Sequence, residues 1–250
     1  MNNKGGTVMK KLRRQIALIV FLFSIAAISA TLKEYITGGY DTTPVIDENG
    51  NFATVHDIGI PEYTGEPYYI LGEGIPFFTR KDLDDKPGFE HYGELDDLGR
   101  CTQAYAYLTT DLMPTEERKA IGHIRPTGWE TVKYAGIDGN YLYNRCHLIA
   151  FSLAGENDNK KNLITGTRYM NVEGMLPFET EVLTYMKITG NPVLYRVTPV
   201  FKDDELLCRG VLMEAASLDD EICFCVFIYN VQPGITIDYA TGASDGPAYE

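Results

Sequence analysis

The 250-residue sequence predicts an α+β fold built on a mainly antiparallel β-sheet with few helices. Three observations carry this. Pro192–Val200, Leu206–Ala215, Ile222–Val231 and Ile235–Tyr239 succeed one another as strands of an antiparallel sheet. A single long helical stretch, Tyr169–Thr189, precedes them. Val182, Leu183, Tyr185, Met186 and Ile188 supply its apolar face, and Gly190-Asn191-Pro192 ends it. Upstream, Cys101–Leu108 (CTQAYAYL) alternates bulky and small residues as a strand does. The composition, 44% hydrophobic and 23% charged, is ordinary for a globular protein and supplies ample core material.

Met1–Ala30 is a targeting segment. Lys10, Lys11, Arg13 and Arg14 precede an almost unbroken apolar run, Ile16–Ala30, with small residues at Ala27, Ser29 and Ala30. The run is shorter than the ~20 residues of a usual spanning helix. It is read as a signal peptide or an N-terminal membrane anchor acting through residues 10–30, and both place the rest of the chain outside the cytoplasm. Residues 31–59 read as a linker or arm, and residues 60–250 as one domain of suitable size.

Within that domain, Tyr68–Leu71 and Ile75–Phe78 read as strands of a hairpin around Gly72-Glu73-Gly74. Pro114–Arg118 reads as a helix start. Ile121–Trp129 is turn-rich. Val132–Tyr134 and Tyr141–Ile149 read as strands joined by an Asp138-Gly139 turn. Asn162–Thr165 is an alternative partner for the second of these. Two strands and the later helix make a ββα unit. Gly174 and Pro177 predict a kink or restart in the helix, and Thr241–Glu250 a polar tail.

The chain is organised around Tyr141–Glu179. Asn144-Arg145-Cys146-His147 ends a strand-like run, and Arg145 and His147, two residues apart, share a face. A cation there can hold a phosphate while an imidazole, with a pKa near 6.5, takes a proton. Asn162-Leu163-Ile164-Thr165 comes next, then Asn171, nine positions after Asn162. Asn171 offers a neutral oxygen to a hard cation.

These motifs resemble those of the DNA/RNA non-specific endonucleases with a ββα-metal core, in particular the streptococcal-type secreted and competence-associated DNases. The family pattern is Asp-Arg-Gly-His, then Asn-apolar-x-Pro-Gln, then a metal-binding Asn heading a helix. Asn144 stands here for Asp, Cys146 for Gly, and Thr165-Gly166 for Pro-Gln. The resemblance implies a metal-dependent phosphodiester hydrolase acting on DNA, and on RNA, with little sequence preference and leaving 5′-phosphates. It implies Mg²⁺, with Mn²⁺ able to substitute. His147 is then the general base and Asn171 a metal ligand. Glu179 lies eight positions further on, ~12 Å along an unbroken helix, so a hydrogen bond to metal-bound water suits it better than shared ligation. Glu173 and Glu181 are alternatives.

Arg145 is the candidate transition-state stabiliser and Arg125 a weaker phosphate binder. Asn162 either contacts substrate or pins its loop. Lys160, Lys161 and Arg168 are candidates for the nucleic-acid backbone.

The net charge of −13 opposes binding a polyanion. Between Arg118 and Asn171, however, eight basic residues face four acidic ones. There is no dinucleotide fingerprint, Gly-rich phosphate loop or Gly-x-Ser-x-Gly elbow, and no Cys-x-x-Cys pair for structural zinc. Two other readings stay open. One is a catalytically weak or inactive extracellular nucleic-acid-binding module, motivated by the motif departures. The other is a Cys146 nucleophile, opposed by the alternation that points Cys146 and His147 to opposite faces.

Overall fold

The computed structural model describes residues 60–248 apart from 79 and 84. The targeting segment and the 31–59 arm lie outside the described residues. In chain order the strands are β1 (Tyr68–Ile70), β2 (Phe89–Tyr92), β3 (Ala104–Leu108), β4 (Tyr143–His147), β5 (Leu163–Thr167), β6 (Val193–Val200), β7 (Gly210–Ser217), β8 (Cys223–Tyr229), β9 (Thr236–Ile237) and β10 (Ser244–Asp245). The α-helices are α1 (Arg80–Leu83), α2 (Phe151–Ala154) and α3 (Leu176–Thr189). Six strands form one antiparallel sheet in the order β1-β8-β7-β6-β3-β2, and β4–β5 and β9–β10 are separate pairs. No described helix is long and apolar enough to cross a membrane.

β6 and β7 are buried at every position because the sheet is covered on both faces. Alternate residues serve different cores. Tyr195 and Val197 face the main core, with Val182 and Met186 of α3. Leu194 and Leu212 face the other side, with Phe78 and Phe227 respectively. On that side Arg196 and Glu214, directly opposed across β6–β7, make a bidentate pair of 2.6 and 2.8 Å.

That pair explains why the predicted Ile75–Phe78 strand does not form. Glu214 accepts from the Phe77 N–H at 2.7 Å and Arg196 donates to the Phe77 carbonyl at 3.1 Å. The backbone groups that a hairpin would have used are taken by the ion pair, and β1 instead pairs with β8. Glu73 adopts a left-handed φ of 58° in the intervening turn. Pro114–Arg118 is not helical, and Val132–Tyr134 reduces to one bridge, Lys133 with Tyr141. Its turn places positive φ on Gly139 and Asn140, one residue later than expected. The alternative partner is the one used: β5 pairs with β4 from Tyr143–Thr167 to His147–Leu163. Ile235–Tyr239 shortens to β9, and the expected polar tail supplies its partner β10. All five thiols are free.

The helical stretch begins with a π turn, Met170–Met175, in which the Leu176 N–H donates to the Asn171 carbonyl five residues back. Pro177 then lies in the first turn of α3, and Gly190, at φ 72°, closes it. Gly174 lets the π turn pack flush on β8, where a Cβ would lie 2.3 Å from Ile228 Cγ2.

The ladder also relates two of the motif departures. A Cβ on Gly166 would lie 2.5 Å from Cys146 Sγ and 3.2 Å from Met170 Sδ. The side-chain volume present on β4 at Cys146 is absent on β5 at Gly166. Gly166→Ala is expected to destabilise the fold by about 1–3 kcal/mol through overpacking. The loss should shrink in a Cys146→Ala background, and Tm values from the double-mutant cycle check this.

Candidate active site

The β4–β5 hairpin, α2 and the π turn enclose a cleft of about 770 Å³. Five predicted residues line it: Arg145, His147, Arg168, Asn171 and Glu179. Arg118, Trp129, Tyr141 and Asn144 line it too. Lining charges are three arginines against Glu179 alone. A second cavity, of about 410 Å³, carries Glu90, Asp111, Glu116, Glu117 and Glu156 against Lys119. The cleft lining is thus net positive and that of the second cavity net negative, which favours anion entry at the cleft.

His147 is 7% exposed. Its Nε2 lies 3.1 Å from the Asn157 carbonyl and its Nδ1 3.3 Å from Arg118 Nη2. A carbonyl only accepts and a guanidinium only donates, which assigns the proton to Nε2 and the lone pair to Nδ1. The basic nitrogen is therefore Nδ1. Burial lowers the imidazole pKa to about 4; the Asn157 carbonyl opposes this and the Arg118 charge adds to it.

Arg118 is exposed and was not among the residues singled out from sequence. Its only signal was membership of the basic window. It sits in irregular chain 29 positions before His147, and only the tertiary fold brings the two together.

Arg145 has two of its donors committed. Nε donates to the Ile124 carbonyl at 2.5 Å and Nη2 to the Gly122 carbonyl at 2.9 Å. Its guanidinium also stacks 3.9 Å from the Trp129 ring centroid. Arg145 thereby holds the 121–129 loop against β4. Thr165 adds a hydrogen bond to the Thr127 carbonyl at 2.8 Å.

Of the two readings of Asn162, substrate contact or loop pin, the structure favours the pin. It is 0% exposed, and both ends of its amide bond the Ile149 backbone, at 2.8 and 3.0 Å. It has no surface for substrate; it pins the chain leaving His147. Lys160, Lys161 and Arg125 do not line the cleft, and Lys161 pairs with Glu94 at 2.5 Å. Arg168 lines it while pairing with Asp138 at 2.6 Å. Cys146 lies in the main core, where burial pushes its thiol far above the usual range, so it presents no nucleophile to the cleft.

Asn171 and Glu179 share the cleft because of the π turn. Eight residues of plain α-helix would turn Glu179 about 80° away from Asn171. The wider turn takes up the excess and sets both on one wall. Burial raises the Glu179 carboxyl to about 7, with Arg118 pulling the other way.

The sequence matches the family profile described as DNA/RNA non-specific endonuclease over residues 81–218, more than half of the chain. The chain belongs to that family. A curated deoxyribonuclease from Streptococcus dysgalactiae subsp. equisimilis is 39% identical over 110 residues, covering 41% of this chain and 33% of the relative. The match thus spans about a third of that relative's length. Among solved structures, NucA from Streptococcus agalactiae with magnesium ion bound superposes with a TM-score of 0.65 at 24% identity, covering 74% of this chain and 90% of NucA. Sda1 nuclease with bound zinc ion gives 0.61 at 26%, covering 74% and 97%. The first likeness is one of fold.

Against this endonuclease family the donor set can be tested for a metal. No group of three or more His, Cys, Asp or Glu side chains suited to a metal occurs among the described residues. The Asn171 amide makes no hydrogen bond among them, and Glu179 faces the same space without a salt-bridge partner. A sparse oxygen set of this kind fits Mg²⁺, which keeps several waters and takes few protein ligands. Asn171→Ala is expected to weaken Mg²⁺ binding by roughly tenfold or more, read by isothermal titration. Unchanged affinity would remove Asn171 from the ligand set and leave the metal to Glu179, with Glu173 as the alternative.

Proposed function

We propose that this chain hydrolyses phosphodiester bonds of DNA, and of RNA, with little sequence preference, using Mg²⁺ held by Asn171 and Glu179. The observation that carries this is the basic Nδ1 of His147, beside Arg118, in the same cleft as Asn171 and Glu179. The magnesium bound by NucA and the zinc bound by Sda1 support a divalent cation.

In the free protein Arg118 covers the base. Its guanidinium prefers an anionic phosphate oxygen to a neutral imidazole. Phosphate docking therefore draws Arg118 from Nδ1 and unmasks the lone pair. The arriving negative charge also raises the His147 pKa toward neutrality, where a general base works best. His147 Nδ1 then takes a proton from water as it attacks phosphorus. Arg118 stabilises the charge that accumulates on the phosphoryl oxygens, the bond between phosphorus and the 3′-oxygen breaks, and that oxygen takes a proton from solvent water. A bound divalent cation supplies further charge neutralisation at the scissile phosphate. Asn162 and the Asn157 carbonyl keep the imidazole oriented, and Arg145 keeps the 121–129 wall in place. Mn²⁺ is proposed to substitute. The N-terminal 30 residues are proposed to deliver the domain outside the cytoplasm, released or membrane-anchored.

Plasmid nicking with Mg²⁺ against EDTA tests the proposal. Nicking with Mg²⁺ and none with EDTA is expected. DNA binding without cleavage under either condition would favour the binding-module reading.

A further inference from the structure

The wall that leads from His147 back along β4 holds features the cleavage chemistry does not use. Three aromatic rings besides Phe151 line the cleft, and their availability differs. Tyr143 is 4% exposed and lies in a core cluster. Trp129 has one face under the Arg145 guanidinium. Tyr141 is 48% exposed at the rim. Lys133 Nζ sits 4.7 Å from its ring centroid, so one face carries a cation and the rest of the ring is open to the cleft. Between Tyr141 and His147 lies Asn144, whose buried Nδ2 has no acceptor in the protein. Arg168 lines the same stretch, and its buried Nε likewise lacks one. The ladder sets Asn144 opposite Gly166, and the Arg168 N–H bonds the Leu142 carbonyl at 2.8 Å. The two side chains therefore flank a position that has no side chain of its own. Both orphans are donors. Both atoms are buried without accessible surface, and Arg168 is held by Asp138 at 2.6 Å, so Tyr141 is the group on this wall left open to a nucleic acid.

The geometry points to a nucleotide subsite at the rim of the cleft, in which Tyr141 stacks on one unpaired nucleobase. This rests on the proposed nuclease reading and adds a strand preference to it. A base inside a duplex has both faces covered by its neighbours, so only an unpaired or splayed base can use the Tyr141 ring. Six residues of extended chain separate Tyr141 from His147, roughly 20 Å. The stacked base therefore lies several nucleotides from the scissile phosphate and on one side of it only. Every base has a π face, so the subsite selects single strands without selecting sequence.

The experiment is a thermodynamic cycle on binding, which needs no turnover. The full chain carrying His147→Ala is titrated by fluorescence anisotropy against a short single-stranded oligonucleotide and a set in which an abasic site is moved one position at a time. One position should weaken binding on the order of tenfold. In the His147→Ala, Tyr141→Ala protein the intact oligonucleotide should bind with that same loss, and the abasic change should add nothing. Tyr141→Phe, which keeps the ring, should restore the abasic penalty. Tyr141 is half exposed, so these variants leave the core unchanged. Additive losses for Tyr141→Ala and the abasic site, no position sensitive to base removal, or no measurable binding would each overturn the subsite. Failure of the wild-type chain to nick plasmid DNA would instead overturn the nuclease reading, and the binding cycle would still decide the subsite.

Discussion

Replacing His147 by alanine lowers kcat by about 10²–10⁴-fold, the usual loss when a general base is removed, while DNA binding and Tm stay near wild type. The reason for the intact fold is local. The ring makes one hydrogen bond to the Asn157 carbonyl and one to Arg118, and the β4–β5 ladder and the Asn162 clamp hold the backbone without it. The pH profile gives a sharper readout. Only the neutral imidazole can accept a proton, so the rate rises with pH through the pKa of His147 and is lost below it. Free protein holds that pKa at about 4, chiefly by burial. The acid limb of kcat/KM, which reports free enzyme, should fall near pH 4. The limb of kcat, which reports the substrate complex, should lie higher, because the docked phosphate has engaged Arg118. Coincident limbs near 6.5, the ordinary imidazole value, would show that the ring is neither desolvated nor coupled to that arginine. More than about a tenth of the wild-type rate in His147→Ala would remove the residue from the chemistry.

Arg118→Ala lowers kcat by about 10²–10³-fold, as loss of one donor to a developing oxyanion typically does. The same change moves the acid limb of kcat/KM upward, since a cation that depresses the imidazole is gone, although burial keeps it below 6.5. Arg118→Lys should recover the pH limb better than the rate, because it restores charge without the planar fork. Arg145→Ala is the contrasting variant. Its guanidinium bonds the Ile124 and Gly122 carbonyls and stacks on Trp129, so its removal should lower Tm and loosen the loop with a smaller effect on kcat. Equal losses of kcat for the two arginines, with no shift of the limb in Arg118→Ala, would reject the division of labour.

The contrast between these arginines also shows what a sequence can carry. Arg145 and His147 were legible because they sit two residues apart on a strand, where spacing dictates direction. Asn171 was legible from its motif. The strands β6, β7 and β8 were legible because continuous apolar runs leave few alternatives, and only their ends moved. Arg118 was hidden since it lies in irregular chain whose local pattern suggested a helix. The strand expected at Ile75–Phe78 failed for a similar reason: the groups that capture Phe77 are Arg196 and Glu214, well over a hundred residues away. Asn162 could be read either as ligand or as clamp, and only its complete burial decides. That Asn171 and Glu179 serve one site came from the family resemblance alone, because helical periodicity assumes one residue count per turn and sets them about 80° apart.

The π turn also governs how the site can change, over time or by design. It behaves as one residue more than a plain helix needs. Deleting a residue between Asn171 and Glu179, for example the exposed Glu173, would let the segment relax into regular α-helix with every remaining side chain intact. Asn171 and Glu179 would then stand seven residues apart on a regular helix, only about 20° from facing the same way, and the pair would still meet in one cleft. What would part them is a change that straightens the turn at unchanged length, which would set the two donors about 80° apart, so turn width and residue count are matched in this segment and only together form the site.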